Sequence, residues 1–280
     1  MTVTHPTDES PATLWNSTSG CAWVEMQELL DRVLQPFEDL LVAEVAASSP
    51  KRVLDVGCGT GGTTLAFARL LGAQGRTLGV DISEPMIAAA KSRAEQEGSH
   101  ASFICADAQL HSFERASFDM IVSRFGVMFF EDSVQAFANL RHAASDNAEL
   151  RFIAWRSPEE NPFMTTAERA AAPLLPNLPA RVPDEPGQFA FADRDRVSSI
   201  LAQSGWADIE LRPVDVTCTV PEKALVQYFT RLGLVGRVLH EADDGTRTQV
   251  IKTVRAAFDP FVHGTEVRFT AASWLVSARS

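Results

Sequence analysis

Val53-Leu54-Asp55-Val56-Gly57-Cys58-Gly59-Thr60-Gly61-Gly62 is the stretch on which the reading of this chain turns. From Arg52 to Gly57 it is a short apolar run, rich in β-branched residues, that breaks into glycines, which predicts a buried strand entering a tight turn. Gly57, Gly59 and Gly62 stand in the spacing G-x-G-x-x-G. Glycines there let the backbone turn sharply and approach a ligand, and the helix predicted over 63–71 offers that ligand its N-terminal N–H groups. The spacing alone does not choose the ligand, and a glycine-rich turn that binds nothing is the alternative.

Working outward, the same alternation repeats. Strands are predicted over 76–82, 102–106, 118–123 and 150–155, with helices over 85–97 and 133–144 between them. Ser83 before Glu84 and Pro85 reads as the N-cap of the first of these helices. Strands separated by single helices imply a parallel sheet covered on both faces. Upstream, residues 1–13 are polar and expected to fray. One amphipathic helix is predicted over 23–47, stopped by Pro50. Downstream, residues 157–186 hold seven prolines and read as an insertion over the site. A helix over 193–204, a strand over 209–220, one or two helices over 221–261 split near Asp243-Asp244-Gly245, and a closing strand over 266–278 complete the chain. The resulting division is 1–50 as a cap segment and helix, 51–156 as the ligand-binding core, 157–192 as the insertion, and 193–280 as the rest of the sheet with a helical lid at 221–262.

The 280 residues are 45% apolar and 22% charged, an ordinary globular composition. Asp+Glu number 36 against Lys+Arg 25, so the net charge of -11 opposes attraction to phosphate backbones or anionic lipid. Nucleic acid and membrane surfaces are therefore not expected partners. Cys21, Cys58, Cys105 and Cys218 lie far apart with no zinc-ligand spacing, so neither a metal nor a disulfide framework is expected. No basic start precedes an apolar run, and no 18 apolar residues follow one another. The expectation is a soluble, cytoplasmic protein.

Asp55 separates the ligands that suit such a glycine turn. It ends the first strand two residues before the glycines, where a dinucleotide would bring its pyrophosphate and be repelled. A ligand carrying an ammonium and a sulfonium would be attracted instead, and S-adenosylmethionine carries both. Asp81 ends the next strand and could accept both ribose hydroxyls. Asp107 follows the third, where it could accept from an adenine amino group. Three acids at three successive strand ends lie where open α/β sheets bind ligands.

These residues resemble a known family. Val53 to Gly62, Gly79-Val80-Asp81-Ile82, Ala106-Asp107-Ala108 and Phe118-Asp119-Met120-Ile121-Val122-Ser123 are similar, in order and spacing, to the successive motifs of class I S-adenosylmethionine-dependent methyltransferases. The resemblance covers about residues 15 to 155 and is greatest to the small-molecule branch with the ubiquinone/menaquinone C-methyltransferases. Trp15-Asn16, Gly20 and Trp23 also look like that branch, whose N-terminal segment closes over the methionine end of the cofactor. The resemblance implies that Asp55, Gly57 and Gly59 hold the amino-acid part, Asp81 the ribose, and Asp107 with Ala108 the adenine, with Cys58 a further candidate beside the cofactor. Ile82 would pack on the adenine face, Ser123 and Arg124 would line the methionine side, and Met86 is a further candidate for cofactor contact. It further implies a Rossmann-like, seven-stranded, mostly parallel α/β sheet whose last strand is antiparallel. One departure is informative: Ser123-Arg124-Phe125-Gly126 stands where enzymes that methylate nucleic-acid bases or glutamine amides carry Asn/Asp-Pro-Pro-aromatic, and Asn161-Pro162-Phe163 matches that motif only after the fifth strand.

Methyl transfer from a sulfonium needs in-line placement more than side-chain chemistry, so few catalytic residues are expected. His111, His142, His240 and His263 are the candidates for removing a proton, and none is singled out. Substrate walls are expected from Phe125, Met128, Trp155 and Arg156 after strands four and five, and from Tyr228 in the lid, which suits an apolar or planar small-molecule acceptor. A nicotinamide-dependent oxidoreductase and a cofactor-binding protein without catalysis are the rival readings.

Overall fold

A computed structural model of the chain describes residues 10–182 and 184–280; of the stretch expected to fray, residues 1–9 lie outside the described residues. The glycine stretch forms as its pattern dictates. Strand β1 (Arg52–Val56) is buried from Val53 onward and delivers the chain into a turn, and α4 (Gly62–Leu71) begins at its far side. Beside β1 run β2 (Arg76–Asp81) and then β3 (Ser102–Cys105) on one flank. On the other flank lie β4 (Phe118–Arg124) and β5 (Ala144–Trp155), all five strands parallel. The long strands β6 (Ala207–Pro221) and β8 (Glu266–Arg279) close the sheet in the order β3-β2-β1-β4-β5-β8-β6. β8 is antiparallel to both neighbours, as expected of the last strand. The two-residue strand β7 (Val262–His263) pairs with β8 and raises the strand count from the expected seven to eight.

Right-handed crossovers run outward from β1 in opposite directions, which puts their helices on opposite faces. The helix α3 (Gln27–Ser48) packs with α4 over one face, and α6 (Ser133–Ala143) packs with α8 (Arg194–Gln203) over the other. Leu30, Val33, Leu34, Phe37, Leu41 and Val45 form the buried stripe of α3 at spacings of three and four. The helix α5 (Glu84–Glu97) follows β2. Among the described residues, no helix is long and apolar enough to cross a membrane.

Several boundaries differ from expectation for local reasons. The single helix expected over 23–47 is two, α2 (Thr18–Glu25) and α3, broken at Met26, whose ψ of 7° leaves the helix. Part of the stretch expected to fray is the short helix α1 (Pro11–Trp15), capped by the Ser10 hydroxyl. β5 starts six residues early because Asn147 takes a left-handed φ of 60°, which lets a polar segment enter the ladder through an irregular register. The proline-rich insertion contains a helix, α7 (Pro162–Ala171). The lid is three helices: α9 (Leu225–Arg231), α10 (Gly233–Leu239) and α11 (Asp244–Ala257). Gly233 at φ 70° divides the first two. Asp243 caps the third, accepting from the Thr246 N–H and hydroxyl at 2.9 and 2.6 Å.

Candidate active site

At the carboxyl end of the sheet, where strand order reverses between β1 and β4, the chain encloses a cavity of about 870 Å³. Ligands of open α/β sheets bind at this switch point. Its floor is the glycine turn. Gly57 has φ 67°, and a Cβ there would lie 2.6 Å from the Cα of Gly126, so the β1 and β4 exits touch backbone to backbone. Gly59, at φ 55°, lies under the Met86 side chain, and Cys58 lines the cavity between them. Asp81 completes the turn: one carboxylate oxygen accepts from the Gly59 N–H at 2.8 Å and the other from the Ser83 N–H at 2.9 Å. Each oxygen keeps a lone pair for a further donor. Asp81 and Ile82 line the cavity, as do Asp107, which accepts from the Gln109 N–H at 2.8 Å, and Ala108.

The cap segment is fastened over this floor by side chains. Trp15 and Trp23 line the cavity and meet edge to face at 5.7 Å, and Trp15 also meets Phe129 at 5.2 Å. Ser83 holds the N-cap position of α5, yet its hydroxyl donates to the Trp15 carbonyl at 2.6 Å. Asn16 takes over the cap: its Oδ1 accepts from the Glu84 N–H at 2.8 Å while its Nδ2 donates to the Ile82 and Ala12 carbonyls, each at 2.9 Å. Asn16→Ala is therefore expected to cost about 1 kcal/mol, the usual value of an N-cap. Hydrogen exchange should quicken in residues 10–25 and at the start of α5, with the β1 and β4 amides unchanged.

Two of the sequence-derived site residues do not line the cavity. Side chains alternate along a strand, and the alternation that turns Arg124 toward the cavity turns Ser123 away. The buried Ser123 hydroxyl instead donates to the Val56 carbonyl at 2.7 Å and accepts from the Gly126 N–H at 3.1 Å. Likewise Trp155 lines the cavity, whereas Arg156 is held outside it by Glu160 at 2.8 Å and Asp215 at 3.0 Å, with its guanidinium over the Trp274 ring. None of the described histidines lines the cavity either.

Beyond the glycine turn the cavity opens into an aromatic chamber. Phe125 stacks on Trp155 with centroids 3.9 Å apart, edged by Phe37 at 4.9 Å. This packing holds Phe125 at φ 63°, a conformation costly for a side-chain-bearing residue and found at sites that the surroundings over-determine. Met128 adds to the same wall. The far end comes from segments distant in sequence: Phe163 stacks on Phe269 at 3.8 Å, with Tyr228, Cys218 and Phe258 around them. Burial pushes the Tyr228 phenol and the Cys218 thiol each up to about 12, so both stay protonated near neutrality. Sequence reasoning reached Tyr228 but not its partners, because an aromatic stripe reads the same whether it packs a core or lines a chamber.

The amino-acid end of the expected ligand site carries the strongest electrostatics. Asp55 is buried and accepts from the Thr64 hydroxyl at 2.6 Å. Burial raises its carboxyl to about 7, with Asp81 and Glu38 pushing the same way and the Thr64 hydroxyl and Arg124 pulling back. Burial beside Asp81 and Asp55 likewise pushes the Cys58 thiol well above its ordinary value and keeps it neutral. Asp31, which the sequence did not reveal, lines the cavity from α3 and is held by Arg93 of α5 at 2.9 Å, whose other nitrogen donates to the Thr60 carbonyl in the glycine turn at 2.8 Å.

Residues 53–147 match the family model described as a methyltransferase domain. Over those residues the chain carries a methyltransferase domain, consistent with the class I S-adenosylmethionine-dependent methyltransferases. Among curated relatives, the aklanonic acid methyltransferase DauC of Streptomyces sp. (strain C5) is 33% identical over 103 residues, 36% of this chain and 47% of that protein. The match thus spans about half the length of that relative. A demethylmenaquinone methyltransferase of Thermus thermophilus is 27% identical over 194 residues, 64% of this chain and 87% of that protein. Among solved structures, the [4+2]-cyclase SpnF superposes with a TM-score of 0.57 at 18% identity, covering 98% of this chain and 97% of that one. YcgJ of Bacillus subtilis superposes at 0.55 with 17% identity, covering 85% and 97%. These two likenesses establish the fold of the methyltransferase core and nothing of its acceptor.

Proposed function

We propose that this methyltransferase moves a methyl group from S-adenosylmethionine to a small, apolar, planar acceptor held in the aromatic chamber. The observation that carries the reading is one continuous cavity with two ends: a glycine turn flanked by Asp55, Asp81 and Asp107, and a chamber walled by Phe125, Trp155, Phe163 and Tyr228. The residues present fit the cofactor. Asp81 has spare acceptor capacity beside a glycine at positive φ, suited to a ribose diol. Asp55 and Arg124 bring one carboxylate and one guanidinium to the end where a zwitterionic amino-acid group would lie. Asp107 and Ala108 take the adenine side, with Ile82 and Met86 packing on the nucleoside.

When bound, the cofactor supplies a methyl group on a sulfonium that is already a good leaving group. The protein's part is placement. Trp15 and Trp23 cover the cofactor end and exclude water, and the Phe125–Trp155 stack forms a flat wall against which a planar acceptor is oriented. Tyr228, protonated near neutrality, serves as a hydrogen-bond donor to the acceptor. The names of the two curated relatives, which act on aklanonic acid and on demethylmenaquinone, agree with an acceptor of this class. The four unpaired cysteines suit a reducing, cytoplasmic setting.

Calorimetric titration with S-adenosylhomocysteine tests the cofactor half. The wild type is expected to bind in the micromolar range, and Asp81→Ala to weaken binding tenfold or more, about 1.4 kcal/mol. A thermal shift with NADH in place of one with S-adenosylhomocysteine would overturn the reading in favour of an oxidoreductase.

A further inference from the structure

The buried stripe of α3 is apolar at Leu30, Val33, Leu34, Phe37, Leu41 and Val45, and Glu38 falls on that same face, four residues after Leu34 and three before Leu41, at 8% exposure. A carboxylate taken out of water is costly unless it is well paired. Glu38 is paired only loosely: Oε1 accepts from Gln35 Nε2 at 3.2 Å, and Oε2 stands 3.6 Å from Nη1 of Arg124, beyond hydrogen-bond reach. That Nη1 is itself buried without a hydrogen-bond partner. Oε2 also lies 3.4 Å from the point a Cβ on Gly62 would occupy, so Glu38 stands directly behind the start of α4. Arg124 lines the cavity and Glu38 does not.

We propose that Glu38 is a positioning residue that draws Arg124 away from Asp55 and so keeps the two separately available to the carboxylate and the ammonium of an α-amino-acid group. The inference rests on the cofactor reading above and adds to it a residue outside the cavity. Arg124 favours the ionised form of Asp55, and once that carboxylate is ionised, without a competing anion the two would close into a pair that offers a zwitterion nothing. A second buried carboxylate behind Arg124 removes that collapse. Around these groups stand Thr64 from α4, Asp81 from the end of β2 and Gln35 from α3.

The test compares two ligands by calorimetry: S-adenosylhomocysteine, and 5′-methylthioadenosine, the same nucleoside thioether without the amino-acid end. Glu38→Gln is expected to weaken S-adenosylhomocysteine about tenfold while leaving 5′-methylthioadenosine unchanged, a split that general loosening of the fold would not produce. Glu38→Asp, which keeps the charge, should stay within threefold of wild type for both and serves should the glutamine variant not fold. In an Arg124→Gln background, Glu38→Gln should have no further effect, because its role runs through that guanidinium. Equal weakening of both ligands, or of neither, would overturn the proposal while leaving the cofactor assignment standing. A wild type that binds neither ligand would remove both.

Discussion

Gly126→Ala is expected to lower the stability of the methyltransferase by about 3 kcal/mol, the upper end of what an inserted methyl group costs in a packed site, and its Tm by roughly 6–12 °C. Gly126 is not in a left-handed conformation, with φ -87° and ψ -37°, so alanine meets no backbone strain there. The cost is contact. A Cβ would sit 2.6 Å from the Val56 carbonyl oxygen and 2.7 Å from the Gly57 Cα, and neither backbone atom can rotate aside as a side chain would. The Ser123 hydroxyl bridges the Val56 carbonyl and the Gly126 N–H, so the ends of β1 and β4 are tied at the point where the methyl group would part them. Gly57 moves with that displacement and takes the glycine turn with it. S-adenosylhomocysteine affinity should therefore fall by more than tenfold together with Tm. A variant with unchanged Tm and affinity would mean that the two strand ends separate without cost.

This crossing also marks where legibility in the sequence ends. The glycine spacing, Asp55, Asp81 and Asp107 were readable because each is fixed by a strand end a few residues away, and strand ends follow from short-range hydrophobic pattern. A parallel sheet covered on both faces follows from the alternation in the same way, whereas the order β3-β2-β1-β4-β5 is visible only in the fold. What pairs with what across the fold is not local. That Gly126 abuts Gly57, that Asn16 caps α5, and that Phe163 stacks on Phe269 are meetings of segments tens of residues or more apart. Ser123 and Arg156 show a finer limit: an offset of one residue at a strand end flips a side chain to the opposite face, and composition carries no record of the offset. Glu38 did leave a trace, as an acid on an apolar stripe, but only the fold shows what it stands behind.

The ligand-free protein is expected to lose stability as pH rises from about 4 to about 7, and Asp55 is the reason. Burial holds its carboxyl at about 7 in the folded chain against the ordinary 3.8 of an exposed aspartate. Between those values the folded state binds a proton that the unfolded state does not, so stability falls with rising pH. The contribution is fully present below about pH 4 and is lost as pH passes through 7. Some three units at 1.36 kcal/mol each give about 4 kcal/mol. Asp119 works the other way: Arg52 at 2.6 Å and two backbone N–H groups hold its carboxyl below the usual value despite partial burial, so its stabilisation disappears as acid protonates it. A Tm maximum near pH 5 with a decline toward pH 8 is the expected profile. Asp55→Asn, uncharged at every pH, should flatten the decline, and its Tm relative to wild type should rise between pH 5 and pH 8. The same proton couples to the proposed cofactor. An ammonium placed beside Asp55 favours the ionised carboxylate, so S-adenosylhomocysteine should bind more tightly as pH rises from 6 to 7 and then level off. At pH 6, calorimetry in buffers of differing ionisation enthalpy should show close to one proton released by the wild type and almost none by Asp55→Asn. Equal proton release from both proteins would place the raised carboxyl elsewhere and leave Asp55 ionised in the ligand-free protein.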